Sequence, residues 1–247
     1  MGARSLALGR ISALTDPLWG TTNNPGGLAK TEFTSAAFAY EVATLPGANR
    51  LASAFIKPLN WGTWGLSAFR FGDEIYHEQF VSVSFANQLG IASLGGRINY
   101  VQYSAEGFGT SRGVSLDFGG VAQLTPQLSI GAYITNLTRS QLNTLHDDPL
   151  PTRLFTGIQL ELSEKVLLLT EVEKDIDFDA IWKAGVEWDV YKKIFFRTGY
   201  QLPLRTASFG VGTVRSRLSI DYAFQWQRIS GTSHQASATY RFQRNQK

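Results

Sequence analysis

The sequence predicts an all-β protein: a transmembrane, up-and-down antiparallel β-barrel of about fourteen strands with an N-terminal plug segment. Its 247 residues include 24 Gly, 13% aromatic and only 17% charged residues, a composition that suits strands and turns. Apolar and polar residues alternate from residue 31 to the end of the chain. Short and longer connections also alternate, which is typical of barrels whose turns and loops face opposite sides of a membrane.

The composition excludes several classes of protein. The net charge of +3 is spread along the chain without a basic run, so we expect no nucleic-acid partner. The absence of cysteine excludes disulfides, thiolate nucleophiles and zinc-thiolate sites. No apolar stretch is long enough for a membrane helix, and the opening MGARSLALGR is not a signal peptide. If the protein is exported, we expect this numbering to describe the mature chain.

The first element is residues 1–30, the N-terminal segment, which is rich in Gly, Thr and Asn and shows no alternation. It ends in a turn-forming stretch, Asn24, Pro25, Gly26 and Gly27, which we expect to lead the chain from a plug into the first strand. Because a barrel of this size is too wide for side chains alone to fill, we expect residues 1–30 to occupy the lumen and residues 31–247 to form the barrel. A disordered leader is the alternative.

The strands follow without any linker or change of composition. We predict them at 31–42, 49–57, 62–70, 77–87, 91–104, 112–123, 127–138, 152–162, 165–174, 180–190, 193–202, 205–214, 216–228 and 232–243. The connections "TPQ", "SEK", "YKK" and "RS" are short, whereas "FGDEIYH", "SAEGFGTS", "TRSQLNTLHDDPLP" and "EKDIDFDA" are longer. A soluble β-sandwich also alternates apolar and polar residues along its strands. The regular change between short and longer connections, however, favours a membrane barrel.

Aromatic residues at the ends of the apolar faces support the same choice, since such rings prefer membrane interfaces. With both termini placed on the periplasmic side, one girdle lies near the outer ends of the strands and the other near the inner ends. The outer girdle comprises Trp182, Tyr200 and Trp226, and the inner one Tyr191, Phe196, Tyr240 and Phe242. The final Tyr240-Arg241-Phe242 resembles the terminal signal that outer-membrane barrels present to their insertion machinery.

The polar faces carry charges that must then point into the lumen. The predicted lumen network comprises Asp117, Glu161, Glu171, Glu173, Lys183, Glu187, Asp189, Arg197, Asp221 and Arg241. Charges of both signs in an enclosed interior pair and fill space, which favours a structural network. A permeation path or ligand site is the functional alternative.

Residues 2–33, GARSLALGRISALTDPLWGTTNNPGGLAKTEF, resemble the opening of the PorV/PorQ branch of FadL-type outer-membrane proteins. That branch has a Gly-Ala-Arg start, an Ala-x-x-Asp stretch and Asn-Pro-Ala-Gly-Leu-Ala before its first strand. Gly26 stands where its members usually have Ala. The resemblance implies a fourteen-stranded barrel in a Gram-negative outer membrane, most familiarly in Bacteroidota, and for many members a role in protein transport by the type IX secretion system.

From this resemblance we expect a non-enzymatic accessory subunit of a larger outer-membrane complex. Its expected partners are membrane lipids, lipopolysaccharide and other outer-membrane proteins, including type IX translocon components. The longest predicted loop, 138–151, is short for this branch, which weakens a cargo-binding role. A FadL-like channel for small hydrophobic molecules is the alternative, disfavoured by the many inward charges. A soluble β-domain that binds some other partner is the third hypothesis.

Enzymatic chemistry has little support in the sequence. His77, His146 and His234 lie in separate regions, and only His146 has carboxylates beside it, without metal-ligand spacing. The glycine-rich stretch 107–113 lacks the strand-to-helix setting of a phosphate-binding loop. We therefore predict no catalytic residue, cofactor or metal site. Pairs of strand glycines, Gly95-Gly96 and Gly119-Gly120, indicate bulges or places where the plug backbone approaches the wall.

Overall fold

The structure, a computed structural model, describes residues 1–143, 149–191 and 193–242. It confirms the predicted fold: all fourteen strands pair with their sequence neighbours, and β1 pairs with β14 to close the barrel. The strands are β1 Ser35–Ala43, β2 Arg50–Leu59, β3 Gly62–Gly72, β4 Tyr76–Leu89, β5 Ala92–Ala105, β6 Gly109–Gln123, β7 Leu128–Thr135, β8 Arg153–Ser163, β9 Val166–Asp175, β10 Ile181–Tyr191, β11 Ile194–Leu202, β12 Thr206–Arg215, β13 Leu218–Gln227 and β14 Gly231–Arg241. Within the described residues, no helix is long and apolar enough to span a membrane.

We call the end of the barrel that holds Ser35, Arg241 and the short turns the terminal end, and the opposite end the loop end. The predicted strand bounds agree closely with the observed ones, except that the first strand begins at Ser35 rather than residue 31. Two predicted loops were too long, because β3 to β6 continue almost to their hairpin tips at 73–75 and 106–108. Only the connection at 136–152 is long, since β7 ends early, at Thr135.

Each strand presents alternate residues to the two faces of the wall, and the outward faces are apolar. The aromatic residues assigned to the girdles are exposed on that outer surface. Trp182, Tyr200 and Trp226 lie toward the loop end, and Tyr191, Phe196, Tyr240 and Phe242 toward the terminal end. An outer surface of this kind suits lipid contact, because its apolar side chains lose nothing by facing hydrocarbon.

The N-terminal segment lies inside the barrel, where it forms one short α-helix, α1 (Ala3–Ala7), and two 3-10 helices, Pro17–Thr21 and Pro25–Lys30. Its apolar side chains are buried against inward-facing wall residues. Leu18, Trp19 and Leu28 pack with alanines of β1 and β2 and with Ile56. Leu8 and Ile11 pack against Phe155 and Leu169 on the other side of the lumen. The segment therefore contributes the interior core that the barrel wall alone lacks.

Candidate functional site

Groups of buried charges bind the N-terminal segment to the wall, and the first of them centres on Glu187. Arg4 of α1 forms a bidentate pair with this carboxylate, with nitrogen to oxygen distances of 2.7 and 2.9 Å. Glu187 also accepts from Arg197 at 2.5 Å, and Arg197 reaches Asp221 at 2.6 Å. Two guanidinium groups thus neutralise two carboxylates, and the segment supplies one of the four charges.

The second group centres on Glu171, a fully buried residue of β9. One of its carboxylate oxygens accepts the backbone N–H groups of Ser12 and Ala13 at 2.7 and 2.6 Å. The other accepts from Lys183 at 2.7 Å, and Lys183 also pairs with Glu173 at 2.8 Å. A wall carboxylate therefore satisfies two backbone donors of an irregular stretch that has no strand partner of its own.

The third group is the ion pair of Arg97 on β5 with Asp117 on β6, which are buried directly opposite each other. Arg97 donates to the backbone carbonyls of Asn23 and Gly20 at 2.9 and 3.3 Å. Asp117 accepts the backbone N–H of Asn136, where the long connection after β7 begins, at 2.8 Å. This pair therefore joins the wall, the N-terminal segment and the long connection at one level of the lumen.

Inward-facing glycines bring the wall and the N-terminal segment into backbone contact. A Cβ atom on Gly185 would lie 2.9 Å from the carbonyl oxygen of Leu8, and one on Gly95 about as close to the carbonyl of Pro25. No bulge interrupts the strand pairing at Gly95 or Gly119. These glycines mark close approach of the segment, the second of the two interpretations that the sequence left open.

The stretch predicted to form a turn is part of the second 3-10 helix. Asn24 caps the second 3-10 helix, and its side-chain amide donates to the carbonyls of Ala13 and Gly120, both at 2.9 Å. Pro25 and Gly26 lie within that helix, with Gly26 against the backbone of Gly120, and Gly27 continues it. The expectation of a sharp turn into the first strand is therefore wrong, because the helix runs on to Lys30 before the chain reaches the wall.

Most of the predicted lumen charges lie in these groups, but three do not. The structure brings together Asp117, Glu171, Glu173, Lys183, Glu187, Arg197 and Asp221. Glu161, Asp189 and Arg241 lie near the terminal end and form no ion pair within the described part of the chain. Alternation along a strand predicts the face of a residue but not its depth, which is why the sequence did not separate these three inward-facing residues from the charges that form ion pairs.

The sequence did not identify Arg4, Arg10, Arg97 and Glu41, which also form ion pairs inside the barrel. Arg4 and Arg10 belong to a segment without a periodic pattern, so no local signal placed them against the wall. Arg97 and Glu41, however, occupy inward positions in the alternation of β5 and β1. Extending that pattern to the early strands would have identified both. Glu41 is fully buried and accepts from Arg10 and, at 2.9 Å, from Arg50.

A cavity of about 380 Å³ lies on the loop side of the N-terminal segment, and we call it the loop-side cavity. Thr21 and Thr22 of the segment line it, opposite the long connection at Leu150 and Pro151. Strands β3 to β6 form its main wall. Their lining residues include Ser67, Phe69, Glu78, Phe80, Ser82, Arg97, Asn99, Val101, Tyr103, Ser115 and Asp117.

A second cavity of about 200 Å³ lies on the other side of the segment and reaches toward the terminal end. Segment residues line most of it, with Val121, Ser129 and Gln159 from the wall. Residues 20–24 of the segment separate the two cavities, and Arg97 binds the carbonyls of Gly20 and Asn23 at this partition. The N-terminal segment thus lies between the two cavities.

The two histidines that the structure describes do not form a site together. His77 and His234 lie on β4 and β14, and His234 accepts from or donates to the outward Tyr222 hydroxyl at 2.6 Å. His146 lies outside the described residues. Among the residues that the structure describes, no group of His, Asp and Glu could hold a metal ion.

Comparison with known proteins relates the chain to outer-membrane barrels by structure alone. No protein-family model and no curated protein matches its sequence. The toluene transporter TodX of Pseudomonas putida superposes with a TM-score of 0.73 at 12% identity, over 97% of each chain. A FadL homologue of Pseudomonas aeruginosa gives 0.70 at 13% identity, over 98% of each. The KdgM porin gives 0.51 at 9% identity, over 85% of this chain and 99% of its own. The fold is therefore that of FadL-type barrels.

Proposed function

We propose that this protein is a non-enzymatic channel of a Gram-negative outer membrane, which takes up small, largely apolar molecules. The observation that carries the proposal is the loop-side cavity, which has aromatic side chains in its wall and the N-terminal segment as its floor. The fold of a toluene transporter and of a FadL homologue supports it, since both match nearly the whole chain. In this proposal the terminal end faces the periplasm, the loop end faces outward, and lipids and lipopolysaccharide surround the wall.

The inward charges, which weighed against a channel in the sequence, do not obstruct this function. They pair with one another and with the N-terminal segment, so they hold the floor in place rather than lining an open polar pore. The part of the wall that remains beside the loop-side cavity includes Phe69, Phe80 and Val101. The cavity therefore has an apolar surface beside charged groups, most of which form ion pairs.

Passage beyond the loop-side cavity requires a change at the partition formed by residues 20–24. The contacts that hold it on the cavity side are few: Arg97 with the carbonyls of Gly20 and Asn23, and Ser67 with the carbonyl of Thr21 at 3.0 Å. The Glu171 and Glu187 groups lie elsewhere and need not break. A local shift of this stretch would connect the two cavities while the rest of the segment stays bound.

Uptake by cells tests this function. A Gram-negative host that produces the full chain is compared with hosts that produce Val101→Trp, which places an indole ring in the loop-side cavity, or Val81→Trp, which changes the lipid-facing side of the neighbouring strand. Radiolabelled toluene should enter faster with the wild type and Val81→Trp than with Val101→Trp. Equal rates for all three, at equal amounts of folded barrel, would contradict the proposal.

An accessory role in a larger complex, such as a type IX translocon, is the second candidate. It is favoured by apolar side chains at the hairpin tips of the loop end, where Phe108, Phe178 and Ile229 are 94%, 70% and 93% exposed. Exposed apolar groups of this kind are typical of protein contacts. Gentle extraction of a tagged chain from its native membrane, followed by mass spectrometry, would identify other outer-membrane proteins in this case. A protein that emerges alone counts against it.

A further inference from the structure

Strand register arranges the wall of the loop-side cavity in layers. Across β3, β4 and β5, Phe69 is opposite Phe80, and Phe80 is opposite Val101, which makes an apolar band. Toward the N-terminal segment, the next inward residues form a row in the same way. That row comprises Ser67, Ser82, Asn99 and Ser115. A hydroxyl-bearing layer therefore lies directly beneath the apolar band.

The apolar band is largely aromatic. The rings of Phe69 and Phe80 are 5.6 Å apart, and those of Phe80 and Tyr103 are 6.2 Å apart, in tilted or edge-to-face arrangements. Leu150 of the long connection packs against Val101 from the side. A flat ring can contact such a surface by stacking or by its edge, with a preference over an aliphatic chain of equal size.

The hydroxyl row retains hydrogen-bonding capacity. The Ser82 hydroxyl donates to the Asn99 carbonyl oxygen at 2.7 Å, which leaves its own oxygen able to accept. The Asn99 amide donates to Ser115 at 3.1 Å and to Asp117 at 2.8 Å, which uses both of its hydrogens. The Ser115 hydroxyl hydrogen has no acceptor among the described residues, so the row offers one acceptor and one donor.

The four arginines that line the loop-side cavity are all paired with carboxylates. Arg97 is paired with Asp117, and Arg153 with Asp175 at 2.8 Å. Arg10 and Arg50 share Glu41, and the carboxylate of Glu78 also lines the cavity. Because these arginines already have carboxylate partners, the lining favours a neutral ligand, which costs the least desolvation.

We propose that the loop-side cavity binds neutral, hydroxylated single-ring aromatic molecules of the phenol class in preference to aromatic hydrocarbons. The ring lies against the apolar band, and its hydroxyl group, both donor and acceptor, exchanges hydrogen bonds with Ser82 or Ser115. The cavity of about 380 Å³ exceeds the roughly 150 Å³ that suffices for benzene, so water can accompany the ligand. This inference rests on the proposed channel function and narrows its substrate class.

The test is equilibrium dialysis of the full chain in detergent against radiolabelled phenol, toluene and benzoate. Binding to Val101→Trp in the same detergent is subtracted, because that variant has a filled cavity and reports uptake by the micelle. Ser82→Ala/Ser115→Ala removes the free donor and acceptor without adding bulk, and Ser115→Ala alone replaces it if the double variant does not fold. The heat-dependent gel mobility of each variant shows that the barrel is closed.

We expect phenol to bind more tightly than toluene or benzoate, and the serine variant to weaken phenol binding about fivefold to tenfold while toluene is unchanged. An unchanged ratio of phenol to toluene affinity in the serine variant would overturn the proposal, as would tighter binding of toluene or benzoate to the wild type. The channel function is judged separately: if phenol binds as expected but Val101→Trp leaves cellular uptake unaltered, the function fails and the ligand class stands.

Discussion

Replacing Glu171 with Ala should release the N-terminal segment from the wall much more often than in the wild type. The carboxylate accepts two backbone N–H groups of the segment, from Ser12 and Ala13, and all three residues are buried. A hydrogen bond to a charged group contributes about 1.5 to 3 kcal/mol. Lys183 keeps its second partner, Glu173, so the variant leaves no isolated charge.

At the lower end of that range, the two lost bonds alone favour release by about 3 kcal/mol, which corresponds to a population of released segment about a hundredfold larger. Trypsin reports this population, because the protease is too large to enter the lumen and can cut after Arg10 only when the segment has left it. If release is fast relative to cleavage, the cleavage rate follows the released fraction. Intact mass spectrometry would detect the shortened chain that begins at Ile11.

Glu161→Ala is the matched control, since this glutamate lies on the neighbouring strand but is exposed near the terminal end. Its cleavage rate should equal that of the wild type. If Glu171→Ala and Glu161→Ala are cut at the same rate, the carboxylate does not hold the segment, and the assignment of the Glu171 group as an anchor is wrong.

Three further predictions concern the same contacts and the loop-side cavity. Gly131→Val should prevent the N-terminal segment from docking, because a Cβ there would lie 2.6 Å from a backbone oxygen of the segment. Gly96→Val should be tolerated, since its Cβ would face outward. Heat-dependent gel mobility compares the two variants. Arg97→Met should lower the free energy of unfolding by about 3 to 5 kcal/mol, because it leaves a buried carboxylate without its partner; a melting temperature equal to that of exposed Arg112→Met would contradict this. Phe80→Ala should weaken toluene and phenol binding alike in the dialysis assay, whereas unchanged affinities would show that the aromatic ring of the ligand does not use the apolar band.

The predictable part of this molecule is the part that local patterns encode. Alternation along the strands indicates which residues lie on the outer surface of the barrel, as Trp182 and Trp226 do, and this pattern repeats in each hairpin. The contacts of the N-terminal segment join residues that are far apart in sequence, such as Arg4 and Glu187. They depend on how the whole barrel closes around the segment. Glycines such as Gly119 are a weak sequence signal that the segment approaches the wall closely, because glycine is otherwise disfavoured in the interior of a strand.

The lining of the loop-side cavity could not be predicted from the sequence for a similar reason. Ser67, Ser82, Asn99 and Ser115 come from four strands, and none of them is distinctive in its own stretch of sequence. Only the register of β3 to β6 aligns them into one row. A binding layer made by cross-strand alignment therefore becomes visible only when the barrel is assembled.

Ion conductance across a planar bilayer shows whether the N-terminal segment divides and closes the lumen. The intact chain is compared with a chain that lacks residues 1–27, after gel mobility shows that both form closed barrels. We expect the intact protein to be closed and the truncated barrel to conduct ions steadily, because its lumen has lost the N-terminal segment that fills it. If the two proteins are equally closed, the wall residues fill the lumen by themselves, and the N-terminal segment is not the barrier.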